Sequence, residues 1–200
     1  MRMRLLLLLA GLGLASATTQ ATTVVPIDLN QMTARASTIV RGRVALVQSR
    51  WTDDLRRVET VVTLDASIYL KGDLGARFVF RMPGGKIGTL RTVVVGAPVI
   101  REGDEIVVFL EAAGPVIPHI VGFNQGVFRV ATDARSGRQT VARPVLAGEA
   151  ARTAPLHSGD VTLTTVPVAA FEARIRSIMT RDSGRRDRAV AIGPVVARVK

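Results

Sequence analysis

The chain is expected to be mainly β: a small OB-like or Greek-key β-barrel with a short N-terminal helix and a C-terminal helix. Three observations predict it. Residues 37–71 alternate apolar and polar side chains with period 2, the signature of half-buried strands. Ile106 to Leu110 form an unbroken apolar run, as a strand buried on both faces would. Eighteen Gly and nine Pro punctuate the 200 residues, often enough to turn a chain between many short strands. Aromatic residues make up only 4%, so the core must be built from Val, Leu, Ile and Ala with six Phe.

Residues 1–17 read as a Sec-type secretory signal peptide. Arg2 and Arg4 form the positive region, Leu5 to Leu14 the apolar region, and Ala15-Ser16-Ala17 the cleavage site. The apolar run falls short of the roughly 20 residues that a spanning helix needs. The mature chain is therefore expected outside the cytoplasm, periplasmic or extracellular, cleaved near Ala17. Residues 18–27 are expected to be a mobile N-terminus.

From Asp28 a short helix is expected to Ala36. Asp28 can cap it, Gln31 stands at the capping-box position, and Leu29, Met32 and Ala36 share a face that would close one end of a sheet or barrel. Two long strands follow. Val40, Gly42, Val44 and Leu46 share one parity in the first; Val58, Thr60, Val62, Leu64, Ala66, Ile68 and Leu70 share one parity in the second. At about 3.3 Å per residue the second would reach roughly 45 Å, a length suited to coiling round a small barrel or bending at a bulge. Val62, Leu64 and Phe109 are expected to be almost fully buried.

Arg77 to Met82 is a third strand with Phe78, Phe80 and Met82 inward. It breaks at Pro83-Gly84-Gly85, and Leu90 to Val95 can form another short strand. Ile117 to Val121 and Gly126 to Thr132 are further strands, and Asp133 to Gly137 turns a hairpin back along Gln139 to Arg143. The barrel domain thus spans 28–143. Residues 144–166 lose periodicity and read as a surface connection. Val168, Phe171, Ile175 and Ile178 recur at helical spacing, giving a helix over 167–181, and 182–200 read as a basic flexible tail.

The formal net charge is +11, which suits association with anionic envelope polymers or acidic partners. With no Cys, disulfides, thiolate metal sites and a Cys nucleophile are excluded. Gly84-Gly85-Lys86-Ile87 invites a phosphate-loop reading, but Ile87 stands where the motif needs a hydroxyl, and strand rather than helix follows. His119 and His157 are the only histidines and lie in unrelated contexts, whereas a catalytic metal site typically takes three protein ligands. No G-x-S-x-G elbow occurs. No catalytic residue, cofactor or metal is assigned.

The run Ala36-Ser37-Thr38-Ile39-Val40-Arg41-Gly42-Arg43-Val44 resembles the opening of many exported bacterial proteins of unknown function. With Tyr69-Leu70-Lys71-Gly72, Pro83-Gly84-Gly85 and Glu102-Gly103-Asp104 before Val107-Val108-Phe109-Leu110, the order is similar to the netrin-like domain, the OB-type barrel of tissue inhibitors of metalloproteinases. Those inhibitors act through an N-terminal Cys, which has no counterpart here. The inhibitory residues therefore do not carry over, and the reading is an exported, non-enzymatic β-barrel binding module whose partner is a macromolecule, a protein such as an exported protease or an anionic envelope polymer. A physiological nucleic-acid partner is not expected. The alternatives are an envelope hydrolase with an unrecognised site, or an accessory module held electrostatically on anionic polymers. The contact surface is expected at the barrel end, on the loop carrying Pro83, Gly84, Gly85, Lys86 and Arg91, because loops set on a rigid scaffold carry binding more often than strands do.

Overall fold

The computed structural model describes residues 26–112, 114, 116–142 and 165–191, with side chains to residue 184. The expected signal peptide, most of the expected surface connection and residues 192–200 lie outside the described residues.

Helix α1 (Leu29–Arg35) precedes seven strands: β1 (Thr38–Trp51), β2 (Val58–Lys71), β3 (Arg77–Pro83), β4 (Gly85–Ile87), β5 (Leu90–Thr92), β6 (Glu105–Glu111) and β7 (His119–Ile120). A 3-10 turn (Phe123–Gly126), β8 (Val127–Thr132), β9 (Gln139–Ala142), β10 (Val166–Pro167) and helix α2 (Val168–Ala191) complete the order. Strands β1, β2, β3, β7 and β6 pair in that sequence, and β6 pairs back onto β1, closing a five-stranded barrel. The β3–β7 pair is parallel; the other pairs of the ring are antiparallel. The free edge of β6 is shared: β7 takes Leu110 and Glu111, while β8 takes Glu105 to Val108 and carries β9 and β10 outward.

The barrel wall separates two cores. Val62, Leu64, Phe80, Ile106, Val108 and Leu110 fill the interior. Val107, Phe109, Phe128 and Ile39 point outward and are covered by Phe171 and Ile175 of α2 and Met32 of α1. This explains the unbroken run in β6, whose alternate residues serve different cores. Val62, Leu64 and Phe109 are all 0% exposed, as expected, but Phe109 lies on the other side of the wall from Leu64.

The long ribbon β1–β2 bends at three register shifts. One extra residue sits in β1 (Ala45) and two in β2 (Ser67 and Leu70). Each adds twist and reverses the faces beyond it. Leu46, expected to point inward with Val44, is therefore 39% exposed, and Val47 packs on the interior instead. Likewise Tyr69 packs on the interior while Ile68 and Leu70 join the outer core, so the single parity expected along β2 does not hold. Gly42 lets the ribbon close tightly: a Cβ there would sit 2.3 Å from the Asp65 carbonyl oxygen.

Several boundaries differ from expectation, among them β5, which ends at Thr92 and not Val95, and β7, which is only His119–Ile120. Ile27, expected in a mobile segment, donates its N–H to Gln125 Oε1 at 2.7 Å, beside the Asp28–Gln31 capping box of α1. The α1 face joins the outer core rather than an end of the barrel, and Lys71 Nζ donates to the Thr33 carbonyl at 2.8 Å. Val166 and Pro167 pair with β9 before α2 begins, and α2 continues to Ala191, ten residues past its expected end. Arg and Ala favour helix, and one interior glycine, Gly184, costs only about 1 kcal/mol. Helix α2 is tied to the wall by charge as well. Arg41 Nε lies 3.3 Å from Glu172 Oε1, an ion pair not aligned as a hydrogen bond, with side chains 14% and 8% exposed. Arg41 also donates to Gln139 Oε1 at 2.9 Å. Among the described residues no helix is long and apolar enough to cross a membrane.

Candidate functional site

The stretch after β3 is a β-hairpin anchored at its root. Pro83 ends β3 opposite Glu59. Gly84 is buried at φ +85°; its N–H donates to the Val58 carbonyl at 3.0 Å and its carbonyl accepts from Thr60 Oγ1 at 2.7 Å. Gly85 lies so close to the ribbon that a Cβ would meet Ser49 Oγ at 2.3 Å and Thr60 Oγ1 at 2.6 Å. The Lys86 N–H then donates to Ser49 Oγ at 3.0 Å. Of the expected contact residues, the two glycines are thus spent on holding the hairpin to β1 and β2.

Pro83, Lys86 and Arg91 are the expected contact residues presented to solvent, and the latter two carry charge. Lys86 and Arg91 face each other across the β4–β5 pair, and both are exposed. No described carboxylate lies within ion-pair distance of either, in contrast to Arg35, Arg50 and Arg77. Gly88, at φ +56°, turns the hairpin with Thr89, the pattern of a type II′ turn.

Other polar clusters are spoken for by neighbours. Glu59, 7% exposed, holds Arg50 at 2.8 Å and Arg81 at 3.9 Å. His119, in β7, sits 3.3 Å from Glu111, which also pairs Arg35 at 3.0 Å; His157 lies outside the described residues. A shallow depression of about 320 Å³ is lined by Arg43, Asp104, Glu105 and Arg129, charges of both signs, with Arg129 and Asp104 3.7 Å apart. Among the described residues no three His, Asp or Glu converge as metal ligands. Arg77 beside Asp65 holds that carboxyl below its ordinary range through bonds of 2.5 and 3.0 Å, and hydrogen bonds from Ser136 and Arg135 do the same to Asp133. Burial pushes the Tyr69 phenol up; its hydroxyl donates to the Gly75 carbonyl at 2.7 Å.

Sequence reasoning read Leu90 to Val95 as a short strand and gave no contact role to the segment beyond the hairpin. Val93, Val95 and Val99 are 71%, 66% and 64% exposed. Beside them Phe123 sits at φ +57°, a left-handed conformation that bulky side chains rarely adopt. The Val93-Val94-Val95 run, with no polar residue to take the wet face, was the available signal.

No protein-family model, characterised protein or solved structure matches the chain.

Proposed function

We propose that this chain is an exported, non-enzymatic binding module that presents the β4–β5 end of its barrel to a macromolecular partner, an exported protease or another envelope component. One observation carries the reading. Lys86 and Arg91 form an exposed cross-strand pair with no described carboxylate beside them, on a hairpin whose root is fixed by hydrogen bonds to Val58, Thr60 and Ser49. The fixed root spares the backbone ordering that a free loop would undergo on binding, so the charge-assisted hydrogen bonds to a carboxylate are offset mainly by the rotamer freedom of the two side chains.

The test is capture of the partner from envelope and culture supernatant, followed by Lys86→Ala with Arg91→Ala. Affinity should fall at least tenfold, about 1.4 kcal/mol, and its salt dependence should flatten. Unchanged affinity and unchanged salt dependence, in a variant whose circular dichroism matches the parent, would remove the hairpin as the site.

A further inference from the structure

The alternation of the chain continues past the hairpin, across one end of the barrel. Pro98 and Ile100 turn inward, Ile100 into the interior core, while Val93, Val95 and Val99 turn out. A segment with one solvated face ordinarily sends polar side chains to it; this one sends valines. Phe123, 48% exposed, is brought alongside by the Asn124 N–H, which donates to the Gly96 carbonyl at 3.0 Å. Residues 83–101 carry Lys86, Arg91 and Arg101 and no carboxylate. Among the described residues strand β5 pairs only with β4. Ile87 and Leu90 close the two-residue turn, so the alternation of the ladder directs the Arg91 N–H and C=O to the open edge.

We infer that this end receives an extended, acidic and apolar segment of a partner protein as a strand added to β5, an inference that rests on the binding reading above and names its mode. The apolar side chains of such a segment would cover Val93 and Val95, its carboxylates would meet Lys86 and Arg91, and its backbone would pair with Arg91. Two other occupants fit less well. A second copy of the chain would set this acid-free surface against its own cations. Hydrocarbon would accept the valines but leave the edge backbone groups of β5 unpaired. An acidic strand satisfies all three features together.

Arg91, Val93 and Val95 share one face, so the probe is a ten-residue peptide with Glu in one half and Val in the other, made in both orders and added to the full protein as isolated from its own cells. Its controls have the same composition in strict alternation, which sends every Glu to one face and every Val to the other, Lys in place of Glu, or methyl groups on the backbone nitrogens of the pairing edge. The better block peptide should bind at least tenfold tighter than every control and slow hydrogen exchange at the Arg91 amide. Lys86→Glu with Arg91→Glu should abolish binding; these side chains are exposed, and circular dichroism checks the fold. Equal binding of the N-methylated peptide overturns the inference. So does absence of peptide binding at millimolar concentration, whether or not the protein then binds phosphatidylglycerol vesicles or dimerises. If the captured partner responds to the Lys86 and Arg91 substitutions but leaves the Arg91 amide unprotected, strand addition alone fails. If capture ignores both cations, the binding reading fails with it.

Discussion

On the outer wall of the barrel, Val107, Phe109 and Phe128 are covered by Phe171 and Ile175; across its end, Val93, Val95 and Val99 stay in water. Both surfaces are apolar and both lie on strands or extended chain. They differ in what the chain lays over them. The wall receives an amphipathic helix clamped by Arg41 and Glu172, whereas among the described residues the end has beside it a half-exposed Phe123 and the cations Lys86 and Arg91. Apolar character alone therefore does not mark a core. The covered surface contributes to folding and the uncovered one is available for recognition.

That contrast can be broken by substitution. Phe109→Ala, on the covered wall, should cost about 3–5 kcal/mol, and Leu64→Ala in the interior about 2–5 kcal/mol, measured by denaturant unfolding. If Phe109→Ala proved nearly neutral, α2 would not be sealing the wall. Arg41→Ala should cost about 3–5 kcal/mol, because it leaves the nearly buried Glu172, among the described residues, with only Arg176 at 3.5 Å. Glu172→Ala should cost less, since Arg41 keeps Gln139 at 2.9 Å and Glu105 at 3.7 Å. Reversal of that order would mean the helix is held by packing and not by the ion pair. Val93→Thr with Val95→Thr should change stability by no more than about 0.5 kcal/mol, as substitutions on an open surface do, while weakening partner binding; a large loss of stability would show that the valines are covered after all.

The smallest effect is expected from acid. Asp65 and Asp133 have folded-state affinities for protons below their unfolded values. Their contribution is fully present above the ordinary Asp range, near 3.9, and is lost as pH falls through the lowered folded values. Both groups are exposed, so the step should be shallow. Asp65→Asn should flatten part of it in unfolding measured from pH 5 downward. Residues 83–101 contain no carboxylate of their own, so amide exchange there, corrected for its intrinsic pH dependence, should change little over the same range.

Much of the barrel was legible because burial writes itself into period-2 patterns: Val58 to Leu64, Phe78 and Phe80, and the run in β6 each mark a wall strand. The bulges were not legible. One extra residue at Ala45, Ser67 or Leu70 alters no composition, yet it turns Leu46 to water and Tyr69 to the interior. The candidate site was half legible. Lys86 and Arg91 could be picked as cations on a glycine-rich connection, but Gly84 and Gly85 are locked inside by Ser49 and Thr60, partners more than twenty residues away in the chain. Whether Val93 to Val99 would be covered depended on elements elsewhere, which local pattern cannot report.

The barrel closes through pairs of very unequal reach. Strands β1 and β2 meet across a short turn, whereas Thr38 must find Leu110 to complete the β1–β6 ladder, and β3 meets β7 through the single register pair Arg81 and His119. Closing a long loop costs entropy before any contact repays it. The β1–β2–β3 meander can therefore assemble locally and early, with ring closure and the docking of α2 as later, slower events. The β3–β7 seam, with one register pair against two for β6–β7, is where the folded ring is expected to open first, which hydrogen exchange at Arg81 and His119 would report.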